Sequence, residues 1–96
     1  MYWLTLPLPR DRRRAVIARA VNAAIRVAAQ PYRAQVRVLD MESVLTPDGR
    51  YSDSIPVGGE TKLVREADGI HLNDTGSELA ADAVEDALRQ DFKDVP

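Results

Sequence analysis

A strand that is apolar on both faces opens this sequence and constrains the fold more than any other feature. Residues 2–6 read Tyr-Trp-Leu-Thr-Leu, and Pro7 and Pro9 stop the run. Strands without polar alternation are typical of the interior of a parallel sheet that is covered on both faces. We therefore expect an inner strand here, whose second neighbour would come from a missing first half of the domain or from another chain.

An amphipathic helix follows this strand. Asp11 is a suitable N-cap residue, and the pattern predicts a helix over residues 12–29 that ends just before Pro31. The apolar positions that recur at helical spacing predict its buried face: Ile17, Val21, Ala24, Ile25 and Ala28.

A second strand is predicted over residues 35–40. Val36 and Val38 flank Arg37 there, which is typical of an edge strand with one face in water. Strand, helix and strand at this spacing predict a right-handed βαβ unit with parallel strands, and hence an α/β fold.

The rest of the chain divides into an irregular stretch and a final helix. We expect residues 41–67 to be irregular, with segments 50–55 and 61–65 able to pair as a hairpin. A helix over residues 74–91 is predicted after an N-cap at Asn73 or Asp74. Its apolar stripe has clear helical spacing: Leu79, Ala80, Ala83, Val84, Ala87 and Leu88.

Composition and charge narrow the function classes. The 96 residues suffice for one small domain, contain no cysteine, and include no apolar run near the ~20 residues that span a membrane. Residues 1–50 carry nine arginines against four acids, and residues 51–96 carry four bases against eleven acids. The arginine cluster at residues 10–14 could contact nucleic acid, but the net charge of −2 and the 5% aromatic content argue against such a partner. The first seven residues do not form a signal peptide, so we expect a cytoplasmic chain as it stands, while an exported full-length form stays open.

One short block carries the residues for catalysis. Asp68-Gly69-Ile70-His71 is followed by Asn73, which can cap the final helix. A histidine works best as a general base when a carboxylate holds one of its ring nitrogens, because this fixes the tautomer and stabilises the imidazolium. A tight turn at Gly69 can bring the two side chains together.

The block Asp-Gly-Ile-His-Leu-Asn-Asp-Thr-Gly, followed by an apolar helix, resembles the last motif of SGNH (GDSL-like) hydrolases. In that family an Asp-Gly-x-His-x-Asn-x-x-Gly segment supplies the acid and base of a catalytic triad. The upstream strand and Arg-rich helix are similar to the family's penultimate βα unit, and residues 36–40 look like its final strand. The stretch Pro47-Asp48-Gly49-Arg50-Tyr51-Ser52-Asp53 is similar to a loop of a bacterial, often exported, branch.

The resemblance implies that residues 1–96 are one partial domain, the C-terminal part of a three-layer flavodoxin-like hydrolase fold. His71 would be the general base and Asp68 its orienting acid. The substrate would be a small-molecule, carbohydrate or lipid ester, cleaved without a cofactor or metal.

The sequence departs from the family in one major respect, since the nucleophilic serine segment and the oxyanion-hole blocks are absent. Ser43, Ser52, Ser54 and Ser77 lie in no comparable context. We therefore expect the isolated chain to have no esterase activity.

Two alternatives stay open. A small non-catalytic α/β protein could associate with itself or with a protein partner through residues 2–6. A metal site could form from Asp68, His71 and Asp74, although the spacing matches no familiar ligand set.

Overall fold

The strands of this protein are short and form two separate sheets. The computed structural model describes residues 1–93 and shows a mixed α/β fold. Strands β1 (Tyr2–Leu4) and β2 (Arg37–Leu39) are parallel, with Trp3 opposite Val38. The parallel pairing expected for the βαβ unit is therefore confirmed.

The neighbouring strand expected on the second side of residues 2–6 is not among the residues that the structure describes. Among residues 1–93, β1 pairs only with β2, so it is an edge strand. Leu4 and Leu6 are 43% and 45% exposed. Beyond Leu4 the strand stops, and the Asn22 side chain bonds to the backbone N–H and C=O of Leu6 at 2.7 and 2.9 Å.

Helix α1 (Arg12–Ala29) has the predicted bounds and the predicted cap, because the Asp11 carboxylate accepts the N–H of Arg14. The predicted buried face is mostly wrong, since only Ile25 of its five residues is partly buried among the described residues. Ile17 is 63% exposed and Val21 is 39% exposed. The residues that are buried instead lie on an adjacent face: Ala15, Ala18, Asn22 and Ala29.

The physical reason is the buried amide of Asn22, whose Nδ2 also donates to Glu42 Oε1 at 2.7 Å. A buried amide must be hydrogen-bonded, so these bonds fix the rotation of α1 about its axis. Small alanines on the same side let the helix approach the rest of the chain.

The stretch after residue 40, which the sequence predicts to be irregular, contains a short helix. Helix α2 (Met41–Leu45) begins after Asp40, whose carboxylate accepts the N–H of Ser43 at 3.0 Å. Five residues are too few to display a helical period, so only the capping residue signalled this helix.

The predicted hairpin is confirmed, with shifted bounds. Strands β3 (Ser54–Val57) and β4 (Glu60–Leu63) are antiparallel, and Gly58 and Gly59 form the turn with positive φ angles of 58° and 85°.

Helix α3 (Asp74–Asp91) also has its predicted bounds and joins two small apolar clusters. One cluster contains Leu39, Met41 and Ala87, with Tyr2 packed against it. The other contains Leu45, Ile55 and Val64, with Leu72 and Leu79 packed against it. The predicted stripe of α3 is buried or partly buried, and Leu88 is its most exposed member, at 43%.

Within residues 1–93, no helix is long and apolar enough to cross a membrane. Residues 94–96 of the predicted domain lie outside the described residues.

Candidate active site

The segment between β4 and α3 folds into a tight turn that displays Asp68 and His71. An antiparallel bridge between Arg65 and Leu72 closes its base, and the N–H of Glu66 donates to the carbonyl of His71 at 2.8 Å. Gly69 has a φ of 71°, in the left-handed region that glycine adopts without strain. The chain therefore reverses between the acid and the base.

Asp68 and His71 are in direct contact. Oδ2 of Asp68 lies 2.5 Å from Nδ1 of His71. The other oxygen, Oδ1, accepts the backbone N–H groups of Ile70 at 2.8 Å and His71 at 3.0 Å. The contact expected from the sequence is thus present, and it orients the imidazole through one ring nitrogen.

These hydrogen bonds also set the charge of the carboxyl group. The bond to the His71 ring, followed by the backbone bonds from Ile70 and His71, holds the pKa of Asp68 well below its ordinary value. Asp68 is therefore a carboxylate at neutral pH and can accept the Nδ1 proton of the ring. That arrangement leaves Nε2 of His71 as the nitrogen able to accept a proton.

The pair is open to solvent. The His71 side chain is 75% exposed and that of Asp68 is 44% exposed. No side chain among residues 1–93 hydrogen-bonds to His71 Nε2, and none of the serines contacts the ring. Ser43 instead donates to the Asp40 carboxylate at 2.7 Å, and Ser52 donates to the carbonyl of Ser54 at 2.6 Å.

Two arginines attach the turn to the segment that follows β1. The backbone N–H of Arg10 donates to the carbonyl of Gly69 at 2.9 Å, and its side chain donates to the carbonyl of Ala67 at 3.2 Å. Arg65 donates to the carbonyls of Leu8 at 2.8 Å and Ile70 at 3.3 Å. These bonds place the Asp68–His71 pair beyond the carboxyl end of β1, where parallel α/β sheets bind their ligands.

The start of α3 is fixed to the strand beside it. Oδ1 of Asn73 accepts the N–H of Gly76 at 2.9 Å, and Nδ2 donates to the carbonyl of Leu63 at 2.9 Å. Gly76 lies against the backbone of Val64, and a Cβ there would approach Val64 O to 2.2 Å. Asn73 and Gly76 therefore hold α3 close to the base of the turn.

A family model described as "Protein of unknown function (DUF459)" matches residues 1–87. The chain belongs to this family. Comparison with curated proteins finds no match. The DUF459 match includes β1, α1, both sheets and the whole Asp68–His71 turn.

The alternative of a metal site would use Asp68, His71 and Asp74 as ligands. Among residues 1–93 of this DUF459 chain, no three His, Cys, Asp or Glu side chains form a group that could hold a metal ion. Asp74 begins α3 and makes no hydrogen bond to the Asp68–His71 pair among the described residues.

Sequence reasoning missed the contribution of Arg10 and Arg65 to the site. Arg65 is 2% exposed, and its guanidinium lies over the Tyr51 ring at 5.0 Å from the centroid. No local pattern distinguishes this arginine from the exposed ones, because its burial arises from contacts with segments distant in sequence. In the sequence, Arg10 is one member of the arginine cluster at residues 10–14, and nothing there marks it as a residue of the site.

Proposed function

We propose that this chain is the C-terminal part of a three-layer, flavodoxin-like SGNH hydrolase domain and supplies the acid and base of its catalytic triad. The observation that carries the proposal is the 2.5 Å contact between Asp68 and His71, made in a turn at the carboxyl end of a parallel strand. The order of the motif residues in the sequence also supports it.

The residues present define what this part of the domain would do. Asp68 would hold the Nδ1 proton and stabilise the imidazolium, while Nε2 of His71 would accept the proton of a serine hydroxyl. The serine oxygen would attack the ester carbonyl, and the alcohol would leave with the proton returned by His71. Water, deprotonated by His71, would then attack the acyl-serine, and His71 would return the proton to the serine oxygen as the acid leaves.

The serine and the oxyanion donors would come from a segment other than residues 1–93. We expect the 96-residue chain alone to show no ester turnover, because base and acid without a nucleophile give little acyl transfer.

The test uses the protein purified from its native cells through an antibody against α3. Its mass shows whether the 10.6 kDa chain stands alone.

Hydrolysis of p-nitrophenyl acetate and labelling by a fluorophosphonate report an activated serine. We expect His71→Ala to lower kcat/KM at least about a thousandfold, with Asp74→Asn as a neighbouring control that leaves it unchanged. Turnover by the 96-residue chain that persists in His71→Ala would contradict the proposal.

A second candidate function is favoured by the open edge of β1. A non-catalytic α/β protein could bind a second copy or a protein partner there, because Leu4 is exposed on a strand that pairs on one side only among the described residues. In that case the native protein would have a mass of 10.6 kDa per chain, form oligomers and fail to react with the fluorophosphonate.

A further inference from the structure

Four arginines and no carboxylate line a cavity of about 380 Å³ among residues 1–93. The cavity lies between the segment that follows β1, the start of α1 and the loop that precedes β3. Its arginines are Arg10, Arg12, Arg19 and Arg50. Leu8 and Ala15, which are buried, form an apolar part of the wall. The volume lies in the range of small-ligand sites.

The charges of these four arginines have no ionic partner in the described part of the chain, because none of the ion pairs there involves them. Arg19 donates to the carbonyl of Gly49 at 3.1 Å, and Arg10 donates to the carbonyl of Ala67 at 3.2 Å. Neither carbonyl carries a full negative charge. The first of these bonds also joins α1 to the loop that contains Arg50.

Three carboxylates lie close to these arginines in the sequence: Asp11, Asp48 and Asp53. None of them lines the cavity, and none forms an ion pair among residues 1–93. Asp11 accepts the backbone N–H of Arg14 at 2.9 Å, and Asp53 accepts the hydroxyl of Tyr51. The wall of the cavity therefore has an excess of positive charge.

The start of α1 adds to this excess. Arg12, Arg13 and Arg14 follow the N-cap, and the first turn contains no acidic residue. The N-terminal end of a helix carries a partial positive charge, so cations in its first turn lower helix stability and anions raise it. The Asp11 cap offsets part of this repulsion, and an anion bound beside Arg12 would offset more.

We propose that this cavity binds a diphosphate group, as part of a small ligand or alone. The guanidinium group stays charged and presents planar, paired donors that match phosphate oxygens. One phosphate carries at most two negative charges at neutral pH, so two adjacent phosphates balance four arginines more closely. Such binding requires no esterase activity and is separate from the hydrolase function proposed above.

Inorganic pyrophosphate is the probe for this site. The 96-residue protein is titrated in a calorimeter with sodium pyrophosphate and separately with sodium acetate, at constant ionic strength maintained with sodium chloride. We expect saturable binding of pyrophosphate with a Kd below about 1 mM, and binding of acetate at least about tenfold weaker. Saturating pyrophosphate should also raise the Tm, because it binds the folded chain.

Two neighbouring arginines of α1 separate the cavity from general charge. Arg12→Gln removes a cation that lines the cavity, and Arg13→Gln removes the same charge from the next position, which does not line it. Both side chains are exposed, so both variants should fold. We expect Arg12→Gln, and likewise Arg50→Gln on the opposite wall, to weaken pyrophosphate binding about tenfold, while Arg13→Gln leaves the Kd nearly unchanged.

The absence of saturable pyrophosphate binding would overturn the proposal, as would equal affinity for acetate. Equal weakening by Arg12→Gln and Arg13→Gln would also overturn it, since only the net charge would then matter. A ten-residue oligothymidylate serves as the last probe. If it bound more tightly than pyrophosphate, the arginines would form a nucleic-acid surface and the diphosphate site would be wrong. These titrations measure no turnover, so their result is independent of whether the protein hydrolyses esters.

Discussion

Asp68 is held by the residues that immediately follow it. It accepts hydrogen bonds from the Ile70 and His71 backbone and from the His71 ring, all within one turn. Such local bonds do not depend on a large apolar core. The orientation of the acid and base can therefore be retained in a chain whose core clusters are small.

Asp68→Asn should change how stability depends on pH. The native pKa of Asp68 lies below its ordinary value, so the carboxylate stabilises the fold above that ordinary value, and the contribution is lost as pH falls through the native pKa. We expect wild-type protein to be more stable than Asp68→Asn in urea at about pH 7, with a smaller difference at about pH 2. A difference that stays constant with pH would contradict the role of this charge.

Gly69→Ala should disturb the same turn through contact as well as backbone strain. A Cβ at Gly69 would lie 2.7 Å from Arg10 Nε and 2.8 Å from Arg10 Cβ. Gly49 has a similar φ of 74°, but a Cβ there meets nothing within 4 Å.

Gly49→Ala is therefore the control for strain alone, expected at about 1–2 kcal/mol. We expect Gly69→Ala to cost at least about 1 kcal/mol more in urea denaturation, because Arg10 must move. Equal losses in the two variants would show that the Arg10 contact contributes nothing.

Residue spacing was sufficient to predict the Asp68–His71 contact, since both members lie in one tight turn. It was insufficient for Arg65. Its acceptors are the carbonyl of Leu8, far away in sequence, and that of Ile70 across the turn. When the partners of a side chain are backbone groups of another segment, the residues next to it in the sequence do not indicate the contact.

At the scale of elements, α3 depends on a close approach to the backbone beside it. Gly76 lies in its first turn and is buried against the carbonyl of Val64. An alanine there would improve intrinsic helix propensity by about 1 kcal/mol. The 2.2 Å approach of its Cβ to a backbone oxygen opposes that gain, because backbone cannot yield as a side-chain end can.

Gly76→Ala should therefore lower the free energy of unfolding by about 1–3 kcal/mol, as overpacked positions do. Ser77→Ala, at the next and exposed position, should be nearly neutral. Thermal and urea denaturation of the two variants compare them directly. A more stable Gly76→Ala protein would mean that α3 is free to shift away from Val64.

Helix bounds were predictable where a cap and a long apolar period coincide, as at Asp11 for α1 and Asn73 for α3. The buried face of α1 was not, since apolar residues surround much of the helix and one buried asparagine decides its rotation. Asn22 is buried with hydrogen bonds to Leu6, whereas Ile17 and Val21 are exposed.

At the scale of the molecule, one edge of β1 has no neighbouring strand among residues 1–93. Thr5 N–H donates to Leu39 and Met1 C=O accepts from Arg37, so odd-numbered residues bond to β2. Backbone groups of a parallel strand alternate between its two edges. Tyr2 and Leu4 therefore direct their N–H and C=O groups towards the open edge, beside exposed apolar side chains.

We expect the 96-residue protein to associate reversibly through this edge in sedimentation velocity. Leu4→Lys should shift it towards monomer, because a lysine on an edge strand opposes strand pairing. Val27→Lys introduces the same charge at an exposed position of α1 and should leave the association unchanged. A wild-type chain that is monomeric at all concentrations would contradict this expectation.

Asn22 limits what any strand added to that edge can do. Its carboxamide already occupies both backbone groups of Leu6, the next even-numbered residue after Leu4. An incoming strand could pair with the free N–H and C=O groups of Tyr2 and Leu4. At Leu6 the same groups are already bonded to the Asn22 side chain. Asn22 would therefore limit the number of residues that an added strand can pair along this edge.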